Sequence, residues 1–287
     1  ITSCNAQKSL QSSNINVEGT DPKGNLMLLG QSTKQRLQQE PFAAWFNKNY
    51  ADYQIDSTTA QILKADIRKL RFVIFMGTWC GDSRLEVPKM YKLLEFCEVL
   101  PENIRLINLN IYDSVYKQSP THEEKGMNIH RVPDILVFEN NVEIGRIVER
   151  PVISWEKDLL AIVRKDKYEP NYRIVRYLNT LIQSVPLNKI ENDIAKIADS
   201  LKPHISRNEG LMSFGNVLLA TKQTQKALIV HRLNTMLYPG NANGFVALAD
   251  AYLKSGDRVN AKENYERAVS IEPGHQKATA MMAQLMN

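Results

Sequence analysis

Two kinds of hydrophobic pattern divide this chain. In its first half, short continuous apolar runs alternate with segments where apolar residues recur every three or four positions. "RFVIFM" is continuous, branched and aromatic, which predicts a central strand buried on both faces. "NIRLINLNI" predicts a second strand. "DILVFEN" and "VEIGRIVER" predict a hairpin turning at Asn140 and Asn141, where left-handed backbone is tolerable. Helical spacing appears in "STKQRLQQEPFAAWFNKNYADY" and "STTAQILKADIRK", each opened by Ser and Thr, and again from about Cys80 to Cys97. "THEEKGMNI" reads as a short helix, and "SWEKDLLAIVRK" as a Ser-capped amphipathic one. The order β-α-β-α-β-β-α predicts one open mixed sheet flanked by helices, an α/β unit over residues 31–168. Residues 1–30, polar and rich in Ser and Asn at their start, read as a flexible tether.

From "YEPNYRIVRYL" onward every periodic segment is helical, which predicts an all-α unit over 169–287. Pro239 and Pro273 stand 34 residues apart, each closing a helix. At that offset Leu211, Phe214, Gly215, Leu218 and Ala227 align with Phe245, Leu248, Ala249, Tyr252 and Ala261; Tyr265 and Ala268 continue the second set. Small residues admit close helix approach, large ones fill the gap, and proline stops the second helix. The pattern resembles the tetratricopeptide repeat over 208–241 and, more fully, over 242–275. Residues 170–207 would supply a degenerate first unit, and "HQKATAMMAQLMN" would close the stack. Such a stack either holds a protein partner on its concave face or serves as a packing module.

Composition narrows the classes. The chain has 287 residues, enough for about two domains, with 43% hydrophobic and 23% charged residues, as in ordinary globular proteins. Apolar runs such as "LRFVIFM" fall far short of the ~20 residues that span a bilayer. The net charge of +5 is a modest excess, carried by the helical half, and reads as a solvated face rather than a nucleic-acid footprint. His122 and His130 are isolated and do not make a ligand spacing with Cys80, so neither a metal nor another cofactor is expected.

The cysteines are Cys4, Cys80 and Cys97, an odd number that leaves at least one free thiol. Cys97 shares a helical stripe with Met90, Leu93, Leu94 and Leu100 and reads as a buried structural thiol. It lies 17 residues beyond Cys80, about 25 Å along a continuous helix, too far for a direct bond. "ITSC" followed by a polar stretch resembles the end of a bacterial lipoprotein signal, which implies lipidation at Cys4 and a cell-envelope location; the alternative is an exposed thiol in a polar tail.

"GTWCGDSRLEVP" carries the chemistry. It resembles the thioredoxin-superfamily signature Trp-Cys-x-x-Cys, with Pro88 eight residues after Cys80, while "RVPD" before a strand and turn is similar to that family's cis-proline loop, which makes Pro133 the cis-proline. Arg84, Glu86 and Pro88 bring it nearest to the extracytoplasmic TlpA-like branch. The resemblance covers roughly residues 50–168. It implies thiol–disulfide exchange at Cys80, with Trp79, Val132 and Pro133 facing the substrate and Glu86 passing protons. A cysteine at a helix start gains from free N–H groups and the helix dipole, both of which stabilise a thiolate.

The chain departs from that pattern at two positions. Ser83 replaces the second cysteine, so Ser83 can donate a hydrogen bond to Cys80 but cannot release a mixed disulfide. Ile74 stands where thioredoxins keep a buried Asp, six residues before the cysteine, while Asp82, Asp134 and Arg84 bring other charges toward the thiol. The expectation is monothiol exchange on protein or small-thiol disulfides, resolved by an outside thiol. The competing class is a non-catalytic binding protein built from the thioredoxin fold and the repeat surface. An iron–sulfur role like that of monothiol glutaredoxins fits less well, because their Cys-Gly-Phe-Ser has Phe at the position of Asp82 and lacks the preceding Trp.

Overall fold

The computed structural model describes residues 15–205 and 210–286. The chain divides into two units, one ending at Asn171 and the other beginning at Tyr172. The first unit holds a six-stranded mixed sheet with helices packed on it, and the described part of the second is helical.

The sheet is larger than the apolar runs predicted. Strands β1 (Val17–Thr20) and β2 (Leu26–Ser32) form a hairpin at one edge, within the stretch expected to be a flexible tether. Asp21 turns the hairpin by accepting the Lys23 and Asn25 backbone N–H groups, and Gly24 supplies a φ of 80°. Met27 and Leu28 are buried, which anchors this edge. Strands β3 (Arg71–Met76), β4 (Ile104–Asn108), β5 (Asp134–Glu139) and β6 (Val142–Val148) complete the order β1-β2-β4-β3-β5-β6. Only β3 and β4 run parallel; the other pairs are antiparallel. The β5–β6 hairpin turns at Asn140 and Asn141, with φ of 50° and 67°, the left-handed pair expected there.

The stretch expected as one helix before "STTAQILKADIRK" is two: α1 (Lys34–Leu37) and α2 (Ala43–Asp52). Pro41 interrupts them, since it lacks a donor and forces the preceding residue out of helical backbone. Helix α3 (Ser57–Ile67) is capped by Asp56, which accepts the Thr59 N–H. Helix α5 (Trp155–Arg164) is capped by Ser154 and stops at Lys165, whose φ of 59° is left-handed. Between β3 and β4 runs α4 (Gly81–Phe96), with Pro88 inside it. The short helix expected over "THEEKGMNI" is a series of turns instead. Ser119 and Glu124 bind back onto nearby backbone and side chains, and His122, Gly126 and Asn128 adopt positive φ. Local side-chain bonds there outcompete the helical ladder.

One face of the sheet packs Phe72, Ile74, Ile135 and Val137 against α3, α4 and α5. The other gathers Phe75, Ile107, Leu136 and Val132 with Trp79 and Cys80. That second face carries the site.

The second unit begins with α6 (Arg173–Ser184), α7 (Leu187–Asn192) and α8 (Ile194–Leu201). Two helix pairs follow: α9 (Leu211–Ala220) with α10 (Thr224–Leu237), then α11 (Ala242–Ser255) with α12 (Arg258–Ile271). Helix α13 (Gln276–Met286) closes the unit. Moved on by 34 residues, Thr224–Leu237 becomes Arg258–Ile271, the same bounds as the next pair's second helix. Ala227 and Ala261 are both fully buried, as the repeat requires of a close helix approach. Among the described residues no helix is long and apolar enough to cross a membrane.

Candidate active site

The site is built on the turn from β3 into α4. Cys80 is the N-cap of α4, with extended backbone at φ −88° and ψ 126° and no side-chain capping bond. Its carbonyl takes the first helical bond from Arg84 N–H, so the sulfur stands beside a helix start whose first N–H groups have no intrahelical partner. Cys80 is a half-buried free thiol, whereas Cys97 is free and fully buried. Burial pushes the Cys97 thiol up to about 11 and leaves it inert at neutral pH. Cys4 lies outside the described residues.

A second element closes over the thiol. The peptide bond between Val132 and Pro133 is cis, and the Cys80 thiol donates to the Val132 carbonyl at 3.3 Å. The Glu149 N–H donates to the Pro133 carbonyl at 2.6 Å, which fastens this loop to the end of β6.

Trp79 lies on the second sheet face. Its Nε1 donates to the Leu109 carbonyl at 2.8 Å, and the Lys117 ammonium sits 5.4 Å from the centre of its ring. Gly77 makes room for it: a Cβ there would come within 2.4 Å of the indole Cε2. The ring is thus part of the wall beside Cys80, held at its edge and on one face.

Ser83 and Glu86 are placed differently from what the family signature implies. Ser83 is fully buried, and its hydroxyl accepts the Gly77 N–H at 3.3 Å, a bond across the strand–helix turn rather than to Cys80. Glu86 is buried too. Trp155 Nε1 donates to its Oε2 at 2.9 Å, and the Lys89 ammonium donates to its Oε1 at 2.9 Å. The Trp155 bond ties α4 to α5, whereas the Lys89 bond lies within α4. Arg84 donates from Nε to the Thr78 carbonyl at 2.6 Å, while the Thr78 hydroxyl accepts the Leu28 N–H at 3.0 Å. The edge hairpin therefore helps to hold the turn on which Cys80 stands. Asp82 is exposed in the first turn of α4.

Next to the loop lies a charged group that sequence reasoning only brushed. Asp134 opens β5, is fully buried, and takes a bond to Oδ2 from Arg146 at 3.2 Å. Its Oδ1 has no partner. Burial outweighs Arg146 and pushes the carboxyl up to about 7. The buried imidazole of His130 is pushed the other way, down to about 3, by the same loss of solvent. The signal was an acid directly after the proline, which does not reveal burial by itself. Among the described residues no cluster of three or more His, Cys, Asp or Glu is arranged to hold a metal ion.

What these groups can do together is thiol chemistry at a partly buried cysteine, bounded by a helix start, an aromatic wall and a backbone carbonyl. Comparison with known proteins leaves that inference to the geometry: no family model matches the chain, and no curated protein matches it.

Proposed function

We propose that this chain is a thioredoxin-like monothiol exchange protein, in which Cys80 forms mixed disulfides that an external thiol resolves. The observation that carries it is Cys80, a partly buried free cysteine at the start of α4 with its sulfur 3.3 Å from the Val132 carbonyl, and Ser83 buried one turn on. A Cys80 thiolate attacks R–S–S–R′, forming Cys80–S–S–R and expelling R′–S⁻, which takes up a proton from solvent. A second thiolate R″–S⁻ then attacks the mixed disulfide, giving R–S–S–R″ and regenerating the Cys80 thiolate. Ser83 can neither attack nor leave in that second step. The 34-residue recurrence of the helix pairs supports a tetratricopeptide-type unit, which offers a face for a protein partner. Within this proposal the chain works in the bacterial cell envelope, held by lipid on Cys4. Mass spectrometry of the native protein tests that part: an acylated Cys4 is expected, and an unmodified one contradicts it.

The decisive experiment follows Cys80 by peptide-resolved mass spectrometry during reaction with glutathione disulfide. The expected product is glutathionylated Cys80 that persists until free thiol is added. Ser83→Cys should supply a neighbouring thiol at high effective concentration and raise insulin reductase turnover about tenfold or more. If Cys80 reacts no faster than an ordinary exposed cysteine, the chain is a binding protein with a vestigial thiol, the competing class.

A further inference from the structure

The exchange steps above leave unused a cation that the fold sets against the Trp79 wall. Lys117 is only 4% exposed and adopts a left-handed φ of 53°, uncommon for a residue with a long side chain. The loop around it enforces that backbone. The Lys117 N–H donates to the Asn110 carbonyl at 2.9 Å, and the Asn110 N–H donates to the Gln118 carbonyl at 3.0 Å. Just before this ladder, the Leu109 N–H donates to the Met76 carbonyl of β3, and the Leu109 carbonyl accepts the Trp79 indole N–H. Loop and indole therefore form one framework, and Trp79 directly precedes Cys80.

The ammonium faces two partly buried rings, 5.4 Å from the centre of Trp79 and 4.9 Å from that of Tyr116. Among the described residues no hydrogen bond or ion pair reaches it. Cation–π contacts offset only part of the cost of taking an ammonium out of water, so buried lysines are ordinarily paired. Asp134 feels the Lys117 charge but does not bind it: its Oδ2 takes Arg146 at 3.2 Å, and its Oδ1 has no partner. Lys117 and Arg146 balance Asp134 and Glu143 as charges, yet balance at a distance leaves the three Lys117 donors unused. Lys117 Nζ lacks a partner without being shut off from solvent. A fixed cation with free donors on an aromatic wall is what a carboxylate needs for recognition.

We propose that Lys117 is the anion-recognising residue of the Cys80 site, selecting disulfides that carry a carboxylate near the reacting sulfur. The proposal rests on Cys80 being the working thiol, and it names the substrate class of that site. A Glu two residues along an extended peptide stands about 7 Å from the bound cysteine, before its own side chain adds reach.

The test uses two acetylated, amidated pentapeptides, Glu-Gly-Cys-Gly-Glu and Gln-Gly-Cys-Gly-Gln, each activated as its mixed disulfide with 2-thiopyridine. Attack by the Cys80 thiolate forms Cys80–S–S–peptide, breaks the peptide–pyridyl S–S bond and expels pyridine-2-thiolate, which takes a proton from solvent. The leaving group is the same for both peptides, which differ only by charged against neutral side chains. Adduct formation at Cys80 in the full chain is followed by peptide-resolved mass spectrometry. The wild type should react about five- to tenfold faster with the Glu peptide, as one charge-assisted contact supplies. In Lys117→Met the ratio of the two rates should fall to about one, while Lys117→Arg, which keeps the cation, should retain part of it. Reading the ratio within each protein cancels any change in the general reactivity of Cys80. Equal rates in the wild type, or a preference that survives in Lys117→Met, overturn the proposal; so does Lys117→Arg losing the preference as fully as Lys117→Met. Where Lys117→Met does not fold, the two wild-type adducts carry the test by NMR. The Lys117 side-chain signals should differ between the Glu and Gln mixed disulfides, and identical signals overturn the proposal. Failure here is distinct from failure of the exchange reading. Mixed disulfides that form and release normally at equal rates sink only the role of Lys117; a Glu preference at a Cys80 that reacts no faster than an ordinary exposed cysteine sinks only the exchange.

Discussion

His231 lies on α10, fully buried, with neither ring nitrogen hydrogen-bonded. Its ring occupies the space opposite Gly215, where a Cβ would come within 2.5 Å of the imidazole Cε1. One repeat later the corresponding residue is Tyr265, whose hydroxyl donates to Asp250 at 2.5 Å, and Asp250 also accepts from Lys277 at 2.6 Å. The two repeats thus solve the same packing position differently, one with a satisfied network and one with a bare neutral ring. Burial holds His231 down at about 4 from an ordinary 6.5. Its folded value lies below its unfolded one, so the stability it permits is complete above about 6.5 and is lost as pH falls toward 4. That loss is on the order of 3 kcal/mol. His231→Phe keeps an aromatic ring and removes the proton. Hydrogen exchange of the α9 and α10 amides at pH 7 and pH 4 should show the wild type losing about 3 kcal/mol more than this variant. Equal losses would mean that the ring is not buried as a neutral base.

At the scale of elements, α4 depends on a neighbour for its continuity. Pro88 has no N–H, so the Arg84 carbonyl, four residues earlier, lacks its helical donor. Asn49 on α2 supplies one, donating from Nδ2 to that carbonyl at 3.0 Å. The same Arg84 binds the Thr78 carbonyl through its side chain, so this repair sits directly behind the turn that presents Cys80. Asn49→Leu should cost about 1–2 kcal/mol in urea denaturation. In a Pro88→Ala background the alanine N–H fills the gap, and the cost of Asn49→Leu should shrink toward zero; additive effects would exclude the repair. None of this is visible in the sequence, because the partners are 35 residues apart on different helices. What the sequence does show is local: β3, β4, the β5–β6 hairpin and the caps Asp56 and Ser154 follow from apolar runs and capping residues. The first hairpin escaped because "NVEGTD" leaves few apolar positions on its first strand, although the run Leu26-Met27-Leu28-Leu29 and the turn signal Asp21-Pro22-Lys23-Gly24 stand beside it. Cys80 and its loop were legible by motif. The bonds of Ser83 and Glu86, and the burial of Asp134, were not, because each depends on residues that meet only in the folded sheet.

For the whole molecule, the cores decide what can be cut. The first unit's apolar clusters draw on residues between Leu26 and Tyr168, on the two faces of one sheet. The second unit's clusters draw on residues between Tyr172 and Leu285. Each has its own buried interior, which is what independent folding requires. Inside the second unit the situation is different. Leu228 on α10 packs with Leu248 and Ala251 on α11, so the two helix pairs share a buried seam. Stacked repeats draw their stability from such seams, and a single pair cannot bury its face alone. Separate expression of residues 15–171 and 172–287 should therefore give two soluble fragments, each melting cooperatively by circular dichroism. Dividing the second unit after Gly240 should instead give 172–240 and 241–287 pieces that lack a cooperative transition on their own. A fragment 172–287 that melts without cooperativity, or a 241–287 piece that melts with it, would show that the helix pairs are not held together by the α10–α11 seam.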